Sequence, residues 1–253
     1  MTELANRLDS NGFAVIPGPF DEKILDALAN SIRTARTDSP SLRNRQRGGG
    51  LFAMRNILEI PTVAEIAVSP LLCRLIDELL GANSFPVRGI FFDKPPGANW
   101  LVPWHQDLMI PTREKREDAI GYRAWSRKDG VWHTLPPIEV LERMLTVRIH
   151  LDDCDADNGA LQVIPGSHAH GRLTDTETDR WRQSHSPVTV CATRGDILLM
   201  RPLLLHASSA SHEADTRQRR IVHLEYAAHP LPEGVQWATK SSLITSILPD
   251  SQV

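Results

Sequence analysis

Cysteine is scarce and unpatterned in this chain, with three in 253 residues, at Cys73, Cys154 and Cys191. No two of them have zinc-site spacing and an odd count suits a reducing compartment, so a disulfide-stapled scaffold is excluded. Three small buried side chains are the expectation. Long hydrophobic runs are missing too, and stretches such as 197–200 are far too short to span a bilayer. The opening residues lack the cationic start, apolar run and small-residue cleavage site of a secretory signal. Positive charge is not in excess either: the formal net charge is −3, which argues against nucleic acid or a membrane surface as partner. These absences lead to the expectation of a soluble, cytoplasmic globular protein.

What is present is enough apolar material for a substantial core, 41% of the residues, in a length that suits one domain over 1–253. Residues 13–16 read as a short strand, and Asp21 can cap a helix over 22–36 with Ile24, Leu25, Leu28 and Ile32 as its apolar stripe. The polar stretch 37–50, carrying Arg43, Arg45 and Arg47, reads as a loop. A second helix is expected over 63–80, ended by Gly81. From residue 87 the pattern changes to short strands, at 87–92, 102–108, 145–151, 160–164, 188–192, 197–200 and 219–226. Turn residues separate several of them, as in Asp157-Asn158-Gly159 and Arg194-Gly195-Asp196. Helices confined to the first third and strands thereafter predict a mainly β sandwich or barrel (core about 85–230) with a helical buttress (about 1–82) on one side. The polar excursion 111–143, with Trp125, Trp132 and His133, interrupts the strands as a lid would.

The chemistry gathers around His105-Gln106-Asp107. On a strand, residues i and i+2 share a face, so His105 and Asp107 can grip one ion while Gln106 points away. His206 ends a buried apolar strand and alone reads as a core histidine; beside the other two it completes a set. Two imidazoles and one carboxylate form the facial triad that holds non-haem Fe(II) with open positions. Further on, Arg219, Ile221, His223 and Glu225 share one strand face, and Arg220, Val222, Leu224 and Tyr226 the other. An arginine inside a barrel needs an anion, and a dicarboxylate is one it can hold bidentately. Arg148, on the Thr146–His150 face, offers another positive charge to an acidic ligand or pairs with a nearby carboxylate.

The motifs WHQD (104–107), DNGALQVIPGSH (157–168), RGDIL (194–198), LHASS (205–209) and RRIVHLEY (219–226) occur in the order seen in the phytanoyl-CoA dioxygenase family, and the start NGFAVIPGPF (11–20) is similar as well. The chain resembles that family over nearly its whole length. The resemblance implies a double-stranded β-helix, or jelly-roll, core and a dependence on Fe(II), 2-oxoglutarate and O2. It implies His105, Asp107 and His206 as iron ligands, Arg219 as partner of the distal carboxylate of 2-oxoglutarate, and Ser208 as a second contact to it. Arg217 and Arg220 compete with Arg219, and Gln106 matches a residue near the co-substrate in some members. Arg148 stands where some relatives carry an aromatic. Because Asp107 is present, the implied reaction is hydroxylation or desaturation rather than halogenation, with succinate and CO2 as co-products.

The substrate is not written in these motifs. A small polar metabolite or natural-product intermediate is expected, met by Arg148, Trp125, Trp132 and Arg55, with Trp104 also near the entrance. Two other readings use the same residues: a jelly-roll metalloenzyme without 2-oxoglutarate (isomerase, lyase or dioxygenase), and a non-catalytic binding protein. Arg219 separates the first of these from the favoured reading, because only the co-substrate needs it.

Overall fold

The structure, a computed structural model, describes residues 2–38, 44–47, 50–95, 101–211 and 217–239. Helix α1 (Glu3–Asn11) starts at the Thr2 side chain, which accepts a hydrogen bond from the Ala5 amide, and stops at Gly12 with φ 82°. Strand β1 (Phe13–Ile16) and helix α2 (Glu22–Asp38) follow. The stretch read as a loop contains β2 (Asn44–Arg47), which pairs with β3 (Gly50–Arg55). Arg43 lies outside the described residues, as do the side chains of Arg45 and Arg47.

The single helix expected over 63–80 is two: α3 (Pro61–Ala67) and α4 (Pro70–Leu80). Pro70 has no N–H and drives the residue before it out of helical space, so Ser69 adopts ψ 146° and caps α4 through the Leu72 amide.

The remaining strands are β4 (Phe85–Lys94), β5 (Val102–His105), β6 (Ile110–Thr112), β7 (Arg123–Lys128), β8 (Val131–Leu135), β9 (Met144–His150), β10 (Leu161–Val163), β11 (Val188–Val190), β12 (Ile197–Met200), β13 (His206–Ser208) and β14 (Arg219–Ala227). Two further helices, α5 (Ile138–Glu142) and α6 (Asp175–Ser184), lie among them. A seven-stranded antiparallel sheet runs β1-β12-β9-β14-β4-β3-β2, and a four-stranded one runs β11-β10-β13-β5. From β9 onward the chain passes back and forth between these sheets, as in a jelly roll. Segment 110–135 makes a separate small sheet, β6-β8-β7.

The expectation of a mainly β chain is corrected: helix and strand each account for 32%, giving a mixed α/β chain around the antiparallel sheets. Helices α1, α5 and α6 were missed because they are short or carry few apolar residues. The cysteine expectation is corrected in part as well, since Cys154 is buried but Cys191 is exposed.

The large sheet has two chemically different faces. Leu145, Val147 and Ile149 of β9, Val222, Leu224 and Tyr226 of β14 and Phe91 of β4 join Leu25, Leu28, Ile32, Leu72 and Ile76 of the helices in the main apolar core. Along β9, β14 and β4 the opposite face is polar and looks toward the four-stranded sheet, while at β12 it carries Leu198 and Met200, which pack with Leu161, Val163 and Val190. Tyr226 also ties the layers together by donating its hydroxyl to the carbonyl of Ala67 at 2.9 Å. Tyr226→Phe therefore strands a buried carbonyl and is expected to lower stability by about 1–3 kcal/mol in urea denaturation, with the far-UV spectrum unchanged.

Candidate metal centre and its polar wall

β5 and β13 are neighbours, and their register sets His105 opposite His206. The ring centroids lie 4.2 Å apart. Asp107 does not belong to the strand, which ends at His105 rather than at 108; instead the Asp107 amide donates to the carbonyl of Pro202 at 2.9 Å. That bond aims the carboxylate back at the imidazoles. Its Oδ1 is 4.0 Å from His105 Nε2 and its Oδ2 3.8 Å from His206 Nε2.

The donor set suits a divalent cation. His105 Nδ1 is 2.8 Å from the carbonyl of Pro103, and His206 Nδ1 is 2.8 Å from that of Leu204. A carbonyl only accepts, so each Nδ1 carries the proton and each Nε2 turns a lone pair toward Asp107. Burial first, and then neighbouring His105, pushes the His206 ring down to about 3, so it is neutral at physiological pH. For Asp107, burial alone favours the acid form; His206, His223, His105 and Arg88 outweigh it and hold the carboxyl below its usual range. The Asp107 Oδ2 atom is nevertheless buried without a hydrogen-bond partner. One cation, with bonds of roughly 2.0–2.2 Å to nitrogen and oxygen, satisfies all three groups at these separations.

Across from the triad stands the polar face of the large sheet. Its register places Thr146, Glu225 and Arg88 in one row, Arg148, His223 and Ile90 in the next, and His150, Ile221 and Phe92 in a third. Arg219 and Lys94 face each other at the far end. Arg88 pairs with Glu225, which also accepts from His223 Nε2 at 3.1 Å. Asp107, His223 and Glu225 offer ligand-type atoms within 4.8 Å of one another, so this wall borders the triad directly.

The three competing arginines have different surroundings. Arg217 is half-exposed and paired with Asp155 at 2.7 and 3.0 Å. Arg220 makes a two-pronged contact to Asp152 at 2.8 and 2.7 Å. Arg219 is buried; its Nη2 donates to Ser208 Oγ at 3.4 Å, and its Nε and Nη1 have no hydrogen-bond partner. Ser208 donates in turn to the carbonyl of Gly159 at 2.8 Å.

Gln106 is spent on the main chain. Its Nε2 donates to the carbonyls of Gly171 and Leu203 at 2.8 and 2.7 Å, and its Oε1 accepts from the Leu173 amide at 2.8 Å. It staples the segment before α6 to the chain approaching His206, and its expected place at the co-substrate is not carried forward. Arg55 is ion-paired with Asp129 at 3.0 Å, joining β3 to the β7–β8 turn. Trp125 stacks on Tyr122, with centroids 6.2 Å apart, and Trp132 lies within 6 Å of the Lys115 and Arg127 cations. All three sit on or against the small third sheet. Trp104 lines a separate cavity with Gln162 and Arg182, on the opposite side of β5 from His105.

Arg88, Lys94 and His133 were not singled out as site residues. Arg88 is one charge in the apolar run 85–92, a signal that the inward face of that strand is polar. Beside Arg88 and His133 a cavity of about 310 Å³ opens, with Leu58, Val87, Pro111 and Val131 on its walls.

An antiparallel jelly roll that brings two imidazoles and a carboxylate together opposite buried arginines defines a candidate non-haem metal centre. The family model for phytanoyl-CoA dioxygenase (PhyH) matches residues 8–219, and the chain belongs to this family of Fe(II)/2-oxoglutarate-dependent dioxygenases. It is 25% identical over 183 residues to L-proline trans-4-hydroxylase of Streptomyces griseoviridis, covering 71% of this chain and 59% of that protein. It is 31% identical over 105 residues to phytanoyl-CoA dioxygenase domain-containing protein 1 of Mus musculus, covering 36% of each. The chain thus spans less than two thirds of either relative. Among solved structures, EctD from S. alaskensis with 2-oxoglutarate and 5-hydroxyectoine has a TM-score of 0.69 at 19% identity, covering 90% of this chain and 76% of that one. AviO1 from Streptomyces viridochromogenes Tue57 has a TM-score of 0.63 at 23% identity, covering 90% and 96%. These likenesses show the fold. No helix among the described residues is long and apolar enough to cross a membrane.

The buried histidines set a pH dependence for the metal-free protein. Burial first, then Arg148, pushes His150 down to about 4; burial first, then Arg88, does the same to His133. With His206 near 3, three rings stay neutral in the fold but take up protons once unfolded, below about pH 6.5. Their stabilisation is complete above that pH and is lost as pH falls toward 4. Denaturation midpoints should drop between pH 7 and 5; a flat profile would show that these rings are protonated in the fold.

Proposed function

We propose that the protein is an Fe(II)- and 2-oxoglutarate-dependent oxygenase that hydroxylates a small polar metabolite or natural-product intermediate. One observation carries this: buried polar atoms lacking partners stand on both sides of the same interior, an acceptor on Asp107 and two donors on Arg219. A buried atom of this kind calls for a ligand. Here the two sides ask for opposite charge, a cation at the triad and an anion at Arg219.

In this reading His105, Asp107 and His206 would hold the iron through their Nε2 and carboxylate atoms, which converge on one another. Arg219 takes the distal carboxylate of 2-oxoglutarate through its Nε and Nη1 donors, as a planar fork suits a carboxylate. Ser208 steadies that guanidinium from behind and is close enough to share the carboxylate. The iron supplies O2 activation coupled to oxidative decarboxylation of 2-oxoglutarate, yielding succinate and CO2. The protein's own part is to position ligands, fix the imidazole tautomers and keep bulk water out. The domain is a single unit over 1–253, and 111–143 acts as its lid, with Trp125, Trp132, Arg55 and the cavity beside Arg88 and His133 at the substrate's way in. The hydroxylase named among its relatives acts on an amino acid, in keeping with a substrate of this size.

The test is anaerobic titration of Fe(II) and 2-oxoglutarate into the apoprotein, followed by the weak visible band of the chelate. The band should need both components. It should vanish in His105→Ala and His206→Ala, both still folded, and Arg219→Ala should weaken 2-oxoglutarate binding by about 100-fold. Iron binding without any band would favour the metalloenzyme that needs no 2-oxoglutarate; no iron binding would favour the binding protein.

A further inference from the structure

Arg148 is not accounted for by the chemistry above. It is 6% exposed and sits in the middle row of the polar wall, opposite His223. Its Nη1 lies 3.3 Å from His223 Nδ1, its guanidinium lies 5.7 Å from the centre of the Phe92 ring, and its Nε is buried with no partner. The other ring nitrogen of His223, Nε2, faces Glu225 at 3.1 Å. Among the described residues no carboxylate forms an ion pair with Arg148, although Arg88, Arg217 and Arg220 each have one. A buried guanidinium in that position is costly unless an anion meets it.

Its place along the wall says which anion. Arg148 interacts electrostatically with Arg219 on one side and with Asp107 and His206 on the other. It leans over Phe92, one row from its own toward Arg219. It therefore stands between the arginine at the far end and the triad, along the line a dicarboxylate joining them must take. A divalent ion on the triad would add positive charge next to Arg148, and an anion between the two relieves that repulsion.

We propose that Arg148 is a second carboxylate-binding group for the co-substrate, holding the carboxylate at the metal end of 2-oxoglutarate while Arg219 holds the distal one. Two arginines then bracket one dianion. The proposal rests on reading the site as a 2-oxoglutarate site. It reassigns Arg148 from the substrate to the co-substrate.

Two 2-oxo acids separate the ends: 2-oxoglutarate and 2-oxopentanoate, which has the same chain without the distal carboxylate. Each is titrated by calorimetry into Zn(II)-substituted protein, and anaerobically into the Fe(II) form with the visible band as readout. Wild type should prefer 2-oxoglutarate, and Arg219→Gln should erase that preference. Arg148→Gln should weaken both acids by the same factor, about tenfold or more, and leave the preference intact. Arg148→Lys, which keeps the charge but not the fork, should restore part of the loss. Melting of the ligand-free variants reports any purely structural role. A lower melting temperature with wild-type affinities for both acids would overturn the proposal, and so would a loss confined to 2-oxoglutarate. Should Arg148→Gln not fold, Arg148→Lys decides: a weaker, equal loss for both acids supports the proposal, and unchanged affinities overturn it. Wild type that binds neither acid would instead overturn the 2-oxoglutarate reading, and this inference with it.

Discussion

The structure depends on the alternation of β14. This strand lies between β9 and β4 and is buried along nearly its whole length, yet its two faces have opposite characters. Val222, Leu224 and Tyr226 enter the apolar core under the helices, while Arg219, His223 and Glu225 face the triad. Because strand periodicity is two residues, slipping the register by one would put three ionisable groups into the helical core. It would also turn the apolar residues toward the metal ligands. Packing on one side therefore enforces chemistry on the other. The hydrophobic contacts of Leu224 with the helical layer help hold Arg219 where it is.

Burying so many charges has to be offset locally, and the wall does this by chaining them. Arg88 meets Glu225, Glu225 accepts from His223, and His223 accepts from Arg148. Each link orients the next: the carboxylate holds Nε2 of His223, which turns Nδ1 toward the Arg148 guanidinium. Such a chain is poor evidence of stability, since a buried ion pair often does no better than apolar residues of equal volume. Its value is orientation. Buried atoms without hydrogen-bond partners remain on this wall and at the triad, among them Arg88 Nε, Thr146 Oγ1, Arg148 Nε, Arg219 Nε and Nη1, and Asp107 Oδ2.

Much of this was legible in the sequence, for physical reasons that differ from residue to residue. His105, Asp107 and His206 stood out because a metal needs particular donor types, and donor type is written directly in the residue. The alternation of 219–226 was legible because strand period is a local property. What could not be read was which of Arg217, Arg219 and Arg220 is left without a carboxylate. That depends on Asp155 and Asp152, more than sixty residues away in sequence. The surroundings of Gln106 were hidden for a similar reason: its partners at Gly171, Leu173 and Leu203 are distant main-chain atoms. Asp107 was assigned to the strand when a hydrogen bond to Pro202 aims it instead. The break between α3 and α4 was readable in principle from Pro70, but the continuous apolar periodicity concealed it.

The two sheets divide the work. The four-stranded sheet presents the histidines from adjacent strands, and that register leaves little freedom in their geometry. The large sheet carries the two arginines proposed to meet carboxylates, Arg219 on β14 and Arg148 on β9. In the proposed reading neither sheet forms the way in; that role would fall to 110–135, a sheet with its own pairing, anchored to β3 through Arg55 and Asp129. On that reading substrate preference could change without disturbing metal or co-substrate, since β7 and β8 pair in a sheet of their own, apart from β13 and β14. The segment that meets the substrate is, on that reading, structurally separate from the strands that hold the triad and the arginines, so the one could vary while the other is kept.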